Sequence, residues 1–137
     1  MHSISETEIR ENINAVRARI DAACKRAGRS ADEVTLVAVS KTKPVPMLRA
    51  AYDVGVRDFG ENKVQELVGK MDALPEDIRW HMIGHLQTNK VKYIVGRVYM
   101  IHSVDSLHLA REISREAVKK GVTVRILVKT DGFARHS

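Results

Sequence analysis

Val34-Thr35-Leu36-Val37-Ala38-Val39-Ser40-Lys41-Thr42-Lys43-Pro44 is the stretch that decides the fold. Residues 34–40 are β-rich and almost continuously apolar, the pattern of a short strand buried on both faces, as in a parallel sheet. Lys41 follows at once, and Pro44 and Pro46 suit a loop entering a helix that Gly55 stops. The same unit then repeats along the chain. Strands are expected at 56–59, 79–83, 98–102 and 122–129, and helices at about 64–71, 87–95 and 106–120. Asp105 offers a cap for the last helix, and Gly121 closes it.

Upstream lies one long amphipathic helix. Ser5 with Glu8 forms a capping box, Ile9, Ile13, Val16, Ile20 and Ala23 make one apolar stripe, and Gly28 ends it. Strand–helix alternation argues for a parallel α/β sheet with helical crossovers. Two architectures take five such strands: an open doubly wound sheet, or the N-terminal portion of a (β/α)8 TIM-like barrel. A full barrel needs about 250 residues. At 137 residues the chain supplies part of one, as a single domain over 1–137.

Composition narrows the function classes. Lys plus Arg number 23 against 17 Asp plus Glu, for a net charge of +6, and hydrophobic residues make up 44%. That is a globular balance, with an excess charge suited to an anionic small molecule or nucleic acid. Aromatics at 4% supply few stacking platforms, so nucleic acid is not expected. Arg111, Arg115 and Lys119, interleaved with Glu112 and Glu116, read as a solvated helix face. No apolar run approaches the roughly 18 residues of a membrane span, and the N-terminus lacks the pattern of a signal peptide. Cys24 is the single cysteine and reads as a buried, inert thiol. A cytoplasmic location is the expectation.

In either architecture function gathers at the carboxyl edge of the sheet. That edge carries Lys41, then Glu61 and Asn62, then Gly84 and His85, then Ser103 and Asp105. Lys41 is the informative residue. Low-dielectric surroundings at the end of an apolar strand would disfavour its charge, and a partly neutral lysine is a nucleophile for an aldehyde. A phosphate-pairing or solvated lysine is the plainer alternative. Asn62 either contacts a ligand or caps the next helix, with spacing favouring the cap. His81 reads as a satisfied core histidine, and the break at Gly84 argues against a metal pair with His85. The chain has no GxGxxG, Walker loop, HExxH or nucleophile elbow, and Ser103 and Asp105 fit no nucleophilic triad.

Residues 36–44 (LVAVSKTKP), 59–62 (FGEN) with 64–66 (VQE), 80–90 (WHMIGHLQTNK) and 101–106 (IHSVDS) together resemble the pyridoxal-phosphate homeostasis protein family. The resemblance runs from about residue 5 to 128. It implies a barrel of fold type III, similar to the N-terminal barrel of alanine racemase, with about five of its eight strands present here. It implies pyridoxal 5′-phosphate as cofactor, held as a Schiff base on Lys41, with Asn62 near it. It implies no catalytic residue and no metal, and a role in intracellular homeostasis of the cofactor. Position 63 is Lys where many relatives have Tyr.

Relatives continue beyond the barrel portion seen here, with loops that hold the phosphate, and the tail 130–137 departs from their pattern. The chain is thus expected to be a C-terminally incomplete member. A part-barrel leaves unpaired edges and an open apolar interior, so self-association through those edges is expected. Two competing readings remain: a racemase-like enzyme, which needs a second acid–base group facing the cofactor, and a basic nucleic-acid- or protein-binding fragment that has lost cofactor binding.

Overall fold

The computed structural model describes residues 6–130. The capping residue expected at Ser5 and the tail beyond 130 lie outside them. The element order is α1 (Glu6–Ala27), β1 (Ala38–Val39), α2 (Val45–Asp53), β2 (Asp58–Glu61), α3 (Val64–Ala73), β3 (Arg79–Met82), α4 (Val91–Ile94), β4 (Met100–Val104), α5 (Leu107–Lys120) and β5 (Arg125–Val128). All four strand pairings are parallel, in the order β1-β2-β3-β4-β5. A doubly wound sheet reverses its strand order at a switch point. This sheet advances one strand at a time without reversal, which is the progression of a barrel wall.

Four strands begin later than the apolar pattern predicts, three of them for one reason. The amides of Val56, Val98 and Val122 each bond back to the preceding helix, to Ala51, Ile94 and Ala117 carbonyls at 3.1, 3.0 and 2.9 Å. An amide spent closing a helix is not available to a ladder. The strands instead run on into polar residues: β2 ends at Glu61, and β4 includes Ser103. The helix expected at 87–95 is a 3-10 turn at 88–90 followed by the single turn of α4. Ser106, not Asp105, caps α5, its Oγ accepting from the Leu109 amide at 3.1 Å.

Register sorts the sheet residues onto two faces. Phe59, Trp80, Met82 and Ile101 face the helices and meet Leu67, Val91, Ile94, Leu109 and Ile113 in one buried cluster. Phe59 and Trp80 stack at a tilt, with ring centroids 5.7 Å apart. The other face carries Val39, Gly60, His81 and Met100, neighbours across three ladders. Gly60 is needed there: a β-carbon would meet Ile83 Cδ1 at 3.0 Å and Val37 Cγ1 at 3.3 Å.

That second face is open. Val39 is 55% exposed, and on β5 Leu127 is exposed on the same face, while Ile126 and Val128, in register with Ile101 and Val104, are exposed on the other. The expectation of a first strand buried on both faces is therefore corrected: β1 and β5 each pair on one side only, and Val39 leaves one face of β1 exposed. The stripe on α1 is also lighter than expected. Ile9 and Ile13 pack partly against the core, Val16 is exposed, and Cys24 is the one buried residue among those described in that helix. Arg115 pairs with Glu112 on the solvated face of α5, but Glu116 is buried rather than part of that face.

Candidate functional site

The carboxyl edge gathers the expected residues at successive strand ends. Lys41 follows β1 in a turn, where the Lys43 amide bonds back to the Ser40 carbonyl at 3.1 Å. Thr42, the next residue, has φ +63°. A β-branched residue in the left-handed region is strained, and such strain persists only where surrounding contacts over-determine the backbone.

Those contacts lie under the turn. Lys70, buried on α3, donates from Nζ to the Ser40 carbonyl at 2.7 Å, to Glu61 Oε2 at 2.9 Å and to Glu66 Oε1 at 2.9 Å. Ser40 Oγ donates to the same Glu61 oxygen. Glu66 Oε1 also accepts the Thr42 amide at 2.6 Å. Both peptides flanking Lys41 are thus tied to one buried ion cluster. Glu61 is fully buried, and burial pushes its carboxyl up against the lowering pull of Ser40 and Lys70. The Lys70 ammonium first, then Glu61 and the Thr42 amide, hold the Glu66 carboxyl down at about 2.

Lys41 itself is exposed, and it makes no hydrogen bond or ion pair to a described residue. The low-dielectric surroundings expected for it are not built by this sheet, because the face beside Val39 is open. Asn62 is half-buried. It does not cap α3, whose N-cap position is Lys63 with no side-chain cap bond. It lines instead a 330 Å³ cavity with Lys63, Val64, Gln65, His85, Gln87 and Lys90. The lysines there make the neighbourhood of Asn62 basic, a field that draws anions. His85 Nδ1 lies 3.6 Å from Asp105 Oδ2 across the β3 and β4 ends, and Ser103 Oγ donates to the Ile83 carbonyl at 3.0 Å.

A second network, absent from the sequence expectations except for His81, sits lower on the open face. Asp58 takes a bidentate Arg79 guanidinium at 2.9 and 2.7 Å, and His81 Nε2 lies 2.9 Å from Asp58 Oδ1. His81 Nδ1 lies 2.8 Å from His102 Nε2. His81 is the satisfied core histidine that its strand position predicts. Burial alone would raise the Asp58 carboxyl, but Arg79 and His81 outweigh it and hold it low. Burial, then the neighbouring His81, pushes His102 down. The sequence signal for this network is a lone acid at the start of β2, one strand over from Arg79.

Comparison with known proteins agrees with this geometry. Residues 4–135 match the family described as alanine racemase, N-terminal domain. Pyridoxal phosphate homeostasis proteins of Aquifex aeolicus and Pseudomonas aeruginosa are 43% and 46% identical over 88% and 94% of this chain, covering 54% and 57% of their own lengths. The chain therefore spans about half the length of these curated relatives. Among solved structures, PipY of Synechococcus elongatus PCC7942 with PLP bound is 37% identical, at a TM-score of 0.72 over 86% of this chain and 52% of its own. Alanine racemase from Streptomyces coelicolor A3(2) is 26% identical, at 0.61 over 84% of this chain and 31% of its own. By sequence, strand order and three-dimensional likeness, the chain belongs to the family of alanine racemase N-terminal domains, and within it resembles the pyridoxal phosphate homeostasis proteins.

Proposed function

We propose that residues 1–137 act as one pyridoxal 5′-phosphate-binding barrel domain, serving homeostasis of the cofactor in the cytoplasm rather than catalysis. The observation that carries the reading is the Lys41 amine. It stands at the carboxyl edge of β1, exposed and unengaged by any described residue, on a backbone turn fixed from both sides. Lys41 would hold the cofactor, whose aldehyde would supply the electrophile for the Lys41 amine.

The residues present fit that group. Lys41 holds the amine, Asn62 offers an amide at the next strand end, and the basic cavity beside it favours an anionic ligand. Gly84 lets the β3 end approach Asn62 closely, so both strand ends stay within one small rim.

A racemase-like reaction needs a second acid–base group. The non-catalytic reading is supported by the relatives named pyridoxal phosphate homeostasis proteins. No helix among the described residues is long and apolar enough to cross a membrane.

The test is spectroscopic. Added pyridoxal phosphate produces a visible absorbance band with wild-type protein and none with Lys41→Ala. Borohydride reduction followed by peptide mass spectrometry places the adduct on Lys41. An equal band in Lys41→Ala, or an adduct on another lysine, overturns the assignment.

A further inference from the structure

We propose that Lys70 and Glu66 are positioning residues for Lys41, clamping the strained turn that presents its amine. This rests on the proposed function for its ligand readout, but the clamp itself is a property of the chain alone. The argument begins with what a lysine is doing inside α3. Lys70 is 7% exposed, and its three ammonium protons are all used, on the Ser40 carbonyl, Glu61 and Glu66. A lysine needed only for solubility would extend into water, since burying an ammonium costs heavily unless it is fully paired.

Where those bonds lead is what assigns the role. Lys70 holds the carbonyl on the N-terminal side of Lys41, and Glu66, itself held by Lys70, takes the amide on the C-terminal side. Between them the backbone passes through Thr42 at φ +63°, a conformation that an unrestrained threonine abandons. The clamp therefore spans Lys41, whose amine is exposed at the rim, and it works through the backbone. Glu61 completes it from β2, accepting Ser40 Oγ and Lys70 on one oxygen. Misplacing a reacting group by even an ångström weakens a geometry-dependent bond substantially.

Glu66 is the residue to change, because it is only partly buried and lies outside the hydrophobic core cluster. In the full chain, Glu66→Ala is expected to raise the dissociation constant for pyridoxal phosphate roughly tenfold, with Glu66→Gln, which keeps an acceptor for the Thr42 amide, recovering most of it. Amide hydrogen exchange at Thr42, measured without added cofactor, should speed in Glu66→Ala and return toward wild type in Glu66→Gln. Glu112→Ala, on the solvated face of α5, serves as a control that changes neither readout. Unchanged exchange at Thr42 in Glu66→Ala overturns the clamp. So does unchanged affinity where wild type binds. Should wild type take up no pyridoxal phosphate, the functional reading fails on its own and the exchange measurement still decides the clamp.

Discussion

Gly84 presses on the backbone of Asn62: a β-carbon there would lie 2.6 Å from the Asn62 carbonyl oxygen and 2.8 Å from its Cα. The opposing atoms are main chain, so no side chain can swing away to make room. Gly84→Ala is expected to push the β3 end off the β2 end and destabilise the chain by about 1–3 kcal/mol, read from the urea midpoint. Gly69, in α3, provides the contrast, since a β-carbon there would have nothing within 4 Å. There the same substitution should stabilise by about 0.5–1 kcal/mol, because it removes only backbone freedom from a helix.

Lys70 shares its charge between two carboxylates, one of them fully buried. Lys70→Met leaves Glu61 without its cation and is expected to cost about 3 kcal/mol in denaturant unfolding. The double variant Lys70→Met with Glu61→Leu replaces the pair by apolar groups and should recover much of that loss. If the double variant is no better than the single one, the energetic weight lies in the Ser40 carbonyl contact instead.

The open edges should declare themselves in solution. Val39, Ile126, Leu127 and Val128 are exposed on the two strands that pair on one side only. Unpaired apolar edges associate. Analytical ultracentrifugation at micromolar concentration is expected to show species larger than the monomer, shifted toward monomer by Leu127→Lys. A monomer with an ordinary cooperative melt at that concentration would remove the prediction.

His102 gives the first acid limb of stability. Burial, then His81, holds it below its ordinary value of 6.5 in the folded chain. Below that pH the unfolded chain takes up a proton that the folded chain resists, so stability declines as pH falls from about 6.5. His102→Gln retains a hydrogen-bonding partner for His81 and does not titrate. The decline between neutral pH and the onset of carboxylate protonation should shrink in that variant, measured as denaturation midpoints across a pH series.

Much of this is legible from the chain alone because strand ends in parallel sheets are forced to share an edge. Order alone places Lys41, Asn62, His85 and Asp105 on that edge, and a position inside a strand places His81. What stays hidden depends on three-dimensional pairing. Lys70 looks like a surface lysine four residues after Glu66, the spacing of an ordinary helix ion pair. Only the meeting of α3 with the β1 turn makes that pair a buried clamp. Asn62 passes for a helix cap because spacing cannot distinguish the cap position from the residue before it. The late strand starts at Val56, Val98 and Val122 are likewise invisible, since apolar patterning records burial and not which carbonyl takes an amide.

The clamp also carries its own pH signature. Lys70, Glu61 and the Thr42 amide hold the folded Glu66 carboxyl at about 2, against an ordinary value of 4.5. A depressed folded value stabilises the fold above the unfolded one, and that contribution drains away as pH falls from about 4.5 toward 2. Glu66→Gln cannot titrate, so its stability should be lower than wild type near neutrality and converge with it toward pH 2. Thr42 amide exchange, corrected for its intrinsic pH dependence, should change little over the same window in either protein, because a protonated Glu66, like Gln, keeps a carbonyl acceptor for that amide. Parallel stability curves for the two proteins across that range would show that Glu66 contributes nothing beyond an ordinary exposed carboxylate.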